Sequence, residues 1–305
     1  MRIVFMGTPT FAVSVLSKLV DTHEVVAVVS QPDRAKDRKG NAIFTPVKEF
    51  ALSKNIPVFQ YEKIKLHASE LKAFGADIFV TAAYGQILSQ ELIDIPRFGI
   101  VNVHASLLPK YRGSSPIQAA IMNGDEETGV TIMQTEIGMD SGDILSARKV
   151  KINGMNAGEL SEVLANVGGE LLLETLRLIE SGNIKPQKQD DSLAVSCRKI
   201  SKEAALLNWE SSSKDLYNLI RAFNPNPVAY TLYKAERLKI YEAEQTDLAG
   251  EAGKILCADR KNGLVLACGE GALRIKKLQA PGKKIMSESE YLNGNKLAVG
   301  DYFGK

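Results

Sequence analysis

The sequence predicts an α/β domain on a mostly parallel, Rossmann-like sheet, followed by a small OB-like β-barrel. Three observations carry that expectation. Short, β-branched, apolar runs alternate with helical patterns through the first half, as buried parallel strands and their crossover helices do. A polar stretch without periodicity, beginning near Lys185, interrupts this alternation. Short strands punctuated by Gly and Asp then take over, as in small barrels. A chain of 305 residues has room for two domains. Their expected bounds are 1–189 for the α/β domain, 190–205 for a linker and 206–305 for the barrel.

In the first half, Ile3–Met6, Val25–Ser30, Ile78–Ala82 and Ile100–Val103 read as strands, because they are short and apolar nearly throughout. Phe11–Leu19, Val47–Lys54 and Ala68–Phe74 read as the helices between them. Val130–Gln134 and Ile144–Lys151 are two further strands, joined through the turn-forming Gly138-Met-Asp-Ser-Gly-Asp143. In Gly158–Glu180, Leu160, Val163, Leu164, Val167, Leu171, Leu172, Leu176 and Ile179 recur at helical spacing, and Ser181-Gly182-Asn183 stops the helix. Beyond the linker one helix, Lys214–Phe223, precedes strands at Ala229–Tyr233, Leu238–Glu242, Gly253–Ala258, Gly263–Ala267 and Ala272–Leu278.

Apolar residues make up 45% and charged residues 24%, which excludes disordered, collagenous and coiled-coil chains. No apolar run approaches the ~18 residues that span a bilayer, so no membrane role is expected. The start enters a strand pattern without a leader, and the three cysteines, Cys197, Cys257 and Cys268, form no CxxC pair. A reducing cytoplasm and three structural thiols are expected. The net charge of +2 gives no nucleic-acid signal by itself, although 16 basic face 13 acidic side chains from Ser201 on.

Chemistry concentrates near Val101-Asn102-Val103-His104. Strand side chains alternate, so Asn102 and His104 share a face at the carboxyl end of an apolar strand, where open α/β sheets place ligands. A strand end emerging into solvent would look the same. Ser106-Leu107-Leu108-Pro109 then forms a tight turn whose backbone can offer N–H and C=O groups to a flat polar ligand. Asp140 lies in a glycine-flanked loop, where a carboxylate also serves as a turn cap. His23, His67 and His104 are the only histidines and have no ligand-pair spacing, so no metal is expected. Gly7-Thr8-Pro9 is neither a dinucleotide fingerprint nor a P-loop.

Asn102-x-His104 before Ser106-Leu-Leu-Pro109, with Asp140 in Gly-x-Asp-x-Gly, resembles the 10-formyltetrahydrofolate-dependent formyltransferases. Phe5-Met-Gly-Thr-Pro9, Gln31-Pro-Asp-Arg34, Ala83-Tyr-Gly-Gln-Ile-Leu88, Gly129-Val-Thr-Ile-Met-Gln134, Lys199-Ile-Ser-Lys-Glu203, Gly269-Glu-Gly-Ala-Leu-Arg274 and Pro281-Gly-Lys-Lys284 narrow the likeness to the methionyl-tRNA formyltransferase family. The chain departs from that pattern at Asn226 and Val228, where an aromatic residue and a glycine are usual, and at Ser196-Cys-Arg198.

The resemblance implies formyl transfer from 10-formyltetrahydrofolate to the amine of methionyl initiator tRNA, as translation initiation requires, in a cytoplasmic monomer. His104 would accept or relay the proton and donate toward the oxyanion, Asn102 would donate to the oxyanion, and Asp140 would orient the imidazole. The folate would lie against Tyr84-Gly85-Gln86 and Ser106, Leu107, Leu108 and Pro109. Arg34, Lys36, Arg38 and Lys39, in a basic loop that also reads as a solvated surface, would contact the acceptor stem. Lys254, Lys261, Arg274, Lys276, Lys277, Lys283 and Lys284 would hold its backbone from the C-terminal domain. Two alternatives stand beside this reading: a formyltransferase acting on an amino-sugar nucleotide, and a non-catalytic RNA-binding protein.

Overall fold

A computed structural model describes residues 1–36 and 40–304. The chain forms two compact units. One comprises Met1–Pro116, Glu127–Lys151 and Ser161–Cys197; the other comprises Ile117–Glu126, Ile152–Leu160 and the chain from Arg198 on.

In chain order the first half runs β1 (Arg2–Gly7), α1 (Thr10–Val20), β2 (Glu24–Ser30), α2 (Pro46–Ser53), β3 (Val58–Gln60), α3 (Ala68–Ala73), β4 (Ile78–Ala82), α4 (Gln90–Ile93), β5 (Ile100–His104) and β6 (Arg112–Gly113). It continues with α5 (Pro116–Met122), β7 (Glu127–Gln134), β8 (Ile144–Lys151), α6 (Ala157–Glu180) and β9 (Ser196–Cys197). Seven strands make one sheet in the order β3-β2-β1-β4-β5-β7-β8. The first five run parallel, and β7 and β8 add antiparallel strands at one edge. This is the mostly parallel, Rossmann-like sheet expected.

The order reverses between β1 and β4, and the region beyond the carboxyl ends at such a reversal is the usual ligand position in open α/β sheets. Each strand's alternation decides what faces that region. Val103 points to the helix side, where Gly168 of α6 packs so closely that an added Cβ would lie 2.8 Å from its methyl. Asn102 and His104 therefore face away from α6. In α6 Leu160, Leu164, Leu171, Leu172, Leu176 and Ile179 are buried as their spacing predicts, whereas Val163 stays exposed. Thr45 caps α2 by accepting from the Lys48 N–H, with Pro46 at its first position.

The second unit contains α7 (Ser213–Ala222), β10 (Ala229–Tyr233), β11 (Glu236–Thr246), β12 (Ile255–Asp259), β13 (Gly263–Ala267), β14 (Ala272–Gln279), β15 (Met286–Ser287) and α8 (Glu288–Gly294). Its sheet is antiparallel in the order β10-β11-β14-β13-β12, with β15 on β14. The open ends of that path are spanned by the last residues. The Phe303 N–H donates to Gly253 O at 2.8 Å beside β12, and the Gly304 N–H donates to Leu232 O at 2.7 Å in β10. Inward positions such as Leu238, Ile240, Leu264, Leu266, Leu273 and Ile275 form the core, and the Trp209 indole N–H satisfies itself on Thr231 Oγ1 at 2.9 Å. Val228, one of the positions where the chain departs from the resembled pattern, takes φ 69°, the left-handed region that glycine enters freely.

Among the described residues no helix is long and apolar enough to cross a membrane. The three cysteines form no disulfide. Burial pushes the Cys268 thiol up to about 12. Burial, helped by the nearby Asp140 carboxylate, also pushes up the Cys197 thiol, so neither is primed as a thiolate nucleophile.

Candidate active site

β5 places Asn102 half-buried and His104 buried at its carboxyl end. Thr81 lies opposite Asn102 on β4, and its hydroxyl donates to Asn102 Oδ1 at 3.0 Å. With its acceptor end engaged, the Asn102 amide has its N–H donors left to present.

His104 Nε2 lies 2.9 Å from the backbone carbonyl oxygen of Tyr111. A carbonyl can only accept, so this nitrogen carries a hydrogen and the lone pair of the neutral ring falls on Nδ1. Nδ1 in turn stands 3.6 Å from Asp140 Oδ2. That oxygen also accepts the Gly113 N–H at 2.8 Å. The backbone thus fixes the tautomer, and Nδ1 is the nitrogen left for proton traffic, with a carboxylate beside it. The Cys197 thiol donates to the same Tyr111 carbonyl at 3.4 Å. The two-residue pairing of β6 with β9 holds Arg112 and Gly113 in place, and a Cβ on Gly113 would collide with the Cys197 carbonyl.

The structure thus brings two of the three expected groups together, Nδ1 and the carboxylate, and puts the third on the same strand face one alternation away. Sequence reasoning missed their supports. Thr81 carried a signal, a polar residue closing an otherwise apolar strand. The Tyr111 carbonyl carried none, because a backbone acceptor has no side-chain signature.

The expected folate segments lie at the carboxyl edge of the sheet, but several of their side chains are committed inward. Tyr84 is buried in the core, and the Gln86 amide donates to Tyr61 O at 2.7 Å while accepting the Ile64 N–H at 2.9 Å. Ser106 Oγ donates to Lys110 O at 2.6 Å, and Thr131 Oγ1 both donates to Ser106 O and accepts the Leu108 N–H. Gly85 and Ile87 form the exposed surface of the first turn; Ile87 is 88% exposed and was not singled out in the sequence. Leu107 and Pro109 are half-buried in the second turn.

The basic loop is rooted by Asp33. Its Oδ1 accepts the Thr45 N–H at 3.1 Å and the Gln60 amide at 2.9 Å, and Lys48 Nζ closes on Oδ2. Burial alone would push this carboxyl up, but the hydrogen bonds from Lys48, Gln60 and Thr45 outweigh it and hold it below the usual carboxylate range. Arg34 reaches Glu62 at 2.7 Å on the surface, and Lys36 bridges to Ala42 across the loop. Arg38 and Lys39 lie outside the described residues. In the second unit Arg274 is committed to the buried Glu288 at 2.6 Å, Lys276 and Lys277 pair with Glu244 and Glu242, and Lys254 pairs with Glu251. Among the described residues no group of three His, Cys, Asp or Glu side chains is placed to hold a metal ion.

The fold and the comparisons with known proteins make this chain a formyl transferase. The formyl transferase family model matches residues 1–176 and the formyl transferase C-terminal domain model matches 199–296. A methionyl-tRNA formyltransferase of Streptococcus gordonii is 48% identical over 99% of both chains, and one of Acetivibrio thermocellus is 44% identical over the whole of both. The chain belongs to the methionyl-tRNA formyltransferase family. Solved structures share its fold. A sugar 3N-formyl transferase, WlaRD, solved with dTDP and 5-N-formyl-THF, superposes with a TM-score of 0.67 at 20% identity, covering 93% of this chain and 99% of that one. A methionyl-tRNA formyltransferase from Clostridium thermocellum gives a TM-score of 0.56 at 19% identity, over 83% and 96% of the two chains.

Proposed function

We propose that this chain transfers the formyl group of 10-formyltetrahydrofolate to the amino group of methionyl initiator tRNA, with Asn102, His104 and Asp140 as its catalytic residues. The observation that carries the proposal is the pairing of His104 Nδ1 with the Asp140 carboxylate at 3.6 Å, beside an Asn102 whose acceptor end is already engaged. The folate, when bound, supplies the electrophilic formyl carbon. His104 accepts the amine proton at Nδ1, where Asp140 stabilises the resulting imidazolium and the Tyr111 carbonyl holds the other N–H. Asn102 turns its N–H toward the oxygen that gains charge, and collapse of that oxyanion would break the bond to N10 of the folate, which leaves with the proton returned by His104.

The folate would rest on the backbone of the Tyr84-Gly85-Gln86 turn and on Ser106, Leu107, Leu108 and Pro109. Because Tyr84, Gln86 and Ser106 use their side chains inward, recognition there falls to main-chain groups and to exposed Gly85 and Ile87. We assign Arg34, Lys36, Arg38 and Lys39 to the acceptor stem. The Arg34–Glu62 pair is exposed on both sides, and such pairs are worth at most about 1 kcal/mol, so a phosphate can displace it. Lys261, Lys283 and Lys284 are the better candidates for backbone contacts in the second unit, since Arg274 is occupied by Glu288. Residues 1–189 carry the chemistry in this reading, 190–205 the connection and 206–305 the tRNA contacts, in a cytoplasmic monomer.

The test is incubation of the purified chain with 10-formyltetrahydrofolate and charged initiator tRNA. Formylmethionyl-tRNA is the expected product, and tRNA affinity should fall as salt rises. Formylation of an amino-sugar nucleotide instead, or tRNA binding with no product, overturns the proposal.

A further inference from the structure

We propose that Gln189 is a positioning residue for Asp140, holding the backbone of the Asp140 loop so that its carboxylate faces His104. This rests on the reading that Asp140 and His104 carry the transfer chemistry. The need for such a device follows from the sheet register. Gln134 at the end of β7 lies opposite Val101, whereas His104 lies opposite Thr131. At about 3.3 Å per residue those positions are separated by roughly 10 Å along the strand. Yet the loop that leaves β7 after Gln134 brings Asp140 Oδ2 within 3.6 Å of His104 Nδ1. It must double back along the sheet face and be held there. Its own apolar side chains do not hold it, since Ile137 is 64% and Met139 is 68% exposed.

Gln189 supplies the hold. Its amide nitrogen donates to the carbonyl of Asp140 at 2.9 Å and to that of Gly142 at 2.7 Å, so both hydrogens of one amide grip the loop. The amide cannot turn over. Nε and Nη2 of Arg112 both donate to its oxygen, at 2.9 and 2.8 Å, and a flipped amide would present hydrogens to that guanidinium. The same Nη2 donates to Asp191 at 2.7 Å. Gly113, next to Arg112, donates its N–H to the Asp140 carboxylate itself. Two adjacent residues of β6 therefore hold Asp140 from two sides, one directly and one through Gln189. Paired backbone bonds between Gln187 and Ile144, at 2.8 and 2.9 Å, set Gln189 at this height. A stretch that the sequence presents as polar and featureless thus completes the site.

The experiment compares Gln189→Leu, Gln189→Glu and Arg112→Lys with wild type and with Asp140→Asn. In Gln189→Leu, kcat should fall by about tenfold to 10²-fold with KM for either substrate within about twofold. Gln189→Glu keeps an acceptor for Arg112 but turns oxygens toward the loop carbonyls, so it should fail to rescue; wild-type kcat in that variant overturns the proposal. NMR of the imidazole resonances, without substrates, reads the site independently of turnover, and three histidines make His104 assignable. Its resonances in Gln189→Leu should move to where Asp140→Asn puts them. Unmoved resonances in a folded variant overturn the proposal. Should Gln189→Leu not fold, Arg112→Lys, which keeps the charge but cannot give two N–H bonds to one oxygen, is read by the same criteria. A wild-type chain without formyl-transfer activity would overturn the functional reading while leaving the NMR comparison intact.

Discussion

Asp33 and Asp140 both lie in loops of the first unit, and each accepts a backbone N–H, from Thr45 at 3.1 Å and from Gly113 at 2.8 Å. Asp33 then takes a lysine ammonium and a glutamine amide as well, and its carboxylate serves to root a loop. Asp140 instead turns toward a ring nitrogen at 3.6 Å, longer than a hydrogen bond. A carboxylate surrounded by fixed donors has its charge spent on structure. One left facing a titratable ring keeps its field for a proton that is yet to arrive. The distinction is visible in the partners, and it can be broken by substitution.

The largest effect is expected at the open pair. His104→Ala should lower kcat by ~10²–10⁴-fold, and Asp140→Asn should do so to a comparable degree, because each removes part of one proton-handling unit. Steady-state kinetics with saturating donor and tRNA decides; more than about a tenth of wild-type rate in either variant would place both residues outside the chemistry. Asn102→Ala comes next, with a loss of ~10²–10³-fold, the usual consequence of deleting one oxyanion donor. Thr81→Val should lose less, since it only frees the Asn102 amide to rotate. A larger loss at Thr81 than at Asn102 would refute that order.

Much of this contrast was legible beforehand. The strands Ile78–Ala82, Ile144–Lys151, Ala229–Tyr233 and Gly263–Ala267 begin and end where the sequence predicts them. Alternation alone put Asn102 and His104 on one strand face, and the resemblance gave them their roles. What stayed hidden is short or made of backbone. β3 has three residues and β6 and β9 have two each, too few for a period to show. α8 was missed although Ser287 and Glu290 spell out a capping box. Asp140 entered through family resemblance, because nothing in Gly-x-Asp-x-Gly says that the loop folds back over β5. Asp33 stands in the quoted Gln31-Pro-Asp-Arg34, but its rooting role does not show there, since its partners Thr45, Lys48 and Gln60 are scattered along the chain.

At the saturated carboxylate the effect should be on stability and should depend on pH. Hydrogen bonds hold the folded-state pKa of Asp33 below the ordinary 3.8, so its contribution is fully present above that value and is lost as pH falls through the lowered one. Asp33→Asn should therefore lower Tm by a constant amount above about pH 5, and the gap to wild type should close below about pH 4. Thermal unfolding of the two proteins across that range tests this. A gap that persists unchanged into acid would mean that the carboxylate's charge is not what roots the loop.

The smallest effect separates the two roles of Asp140 itself. Its φ of 52° lies in the left-handed region, which Asp and Asn enter more readily than Ala. Asparagine keeps an oxygen for the Gly113 N–H, so Asp140→Asn should unfold at the wild-type temperature although it is nearly inactive. Asp140→Ala loses that acceptor and pays the backbone cost, about 2 kcal/mol in all, and should unfold earlier. Equal melting of the two variants would show that the loop, with Gln189 gripping its carbonyls, holds the residue's conformation whatever side chain it carries. The Asp140 side chain would then contribute nothing to the fold, and its contrast with Asp33 would be sharper still.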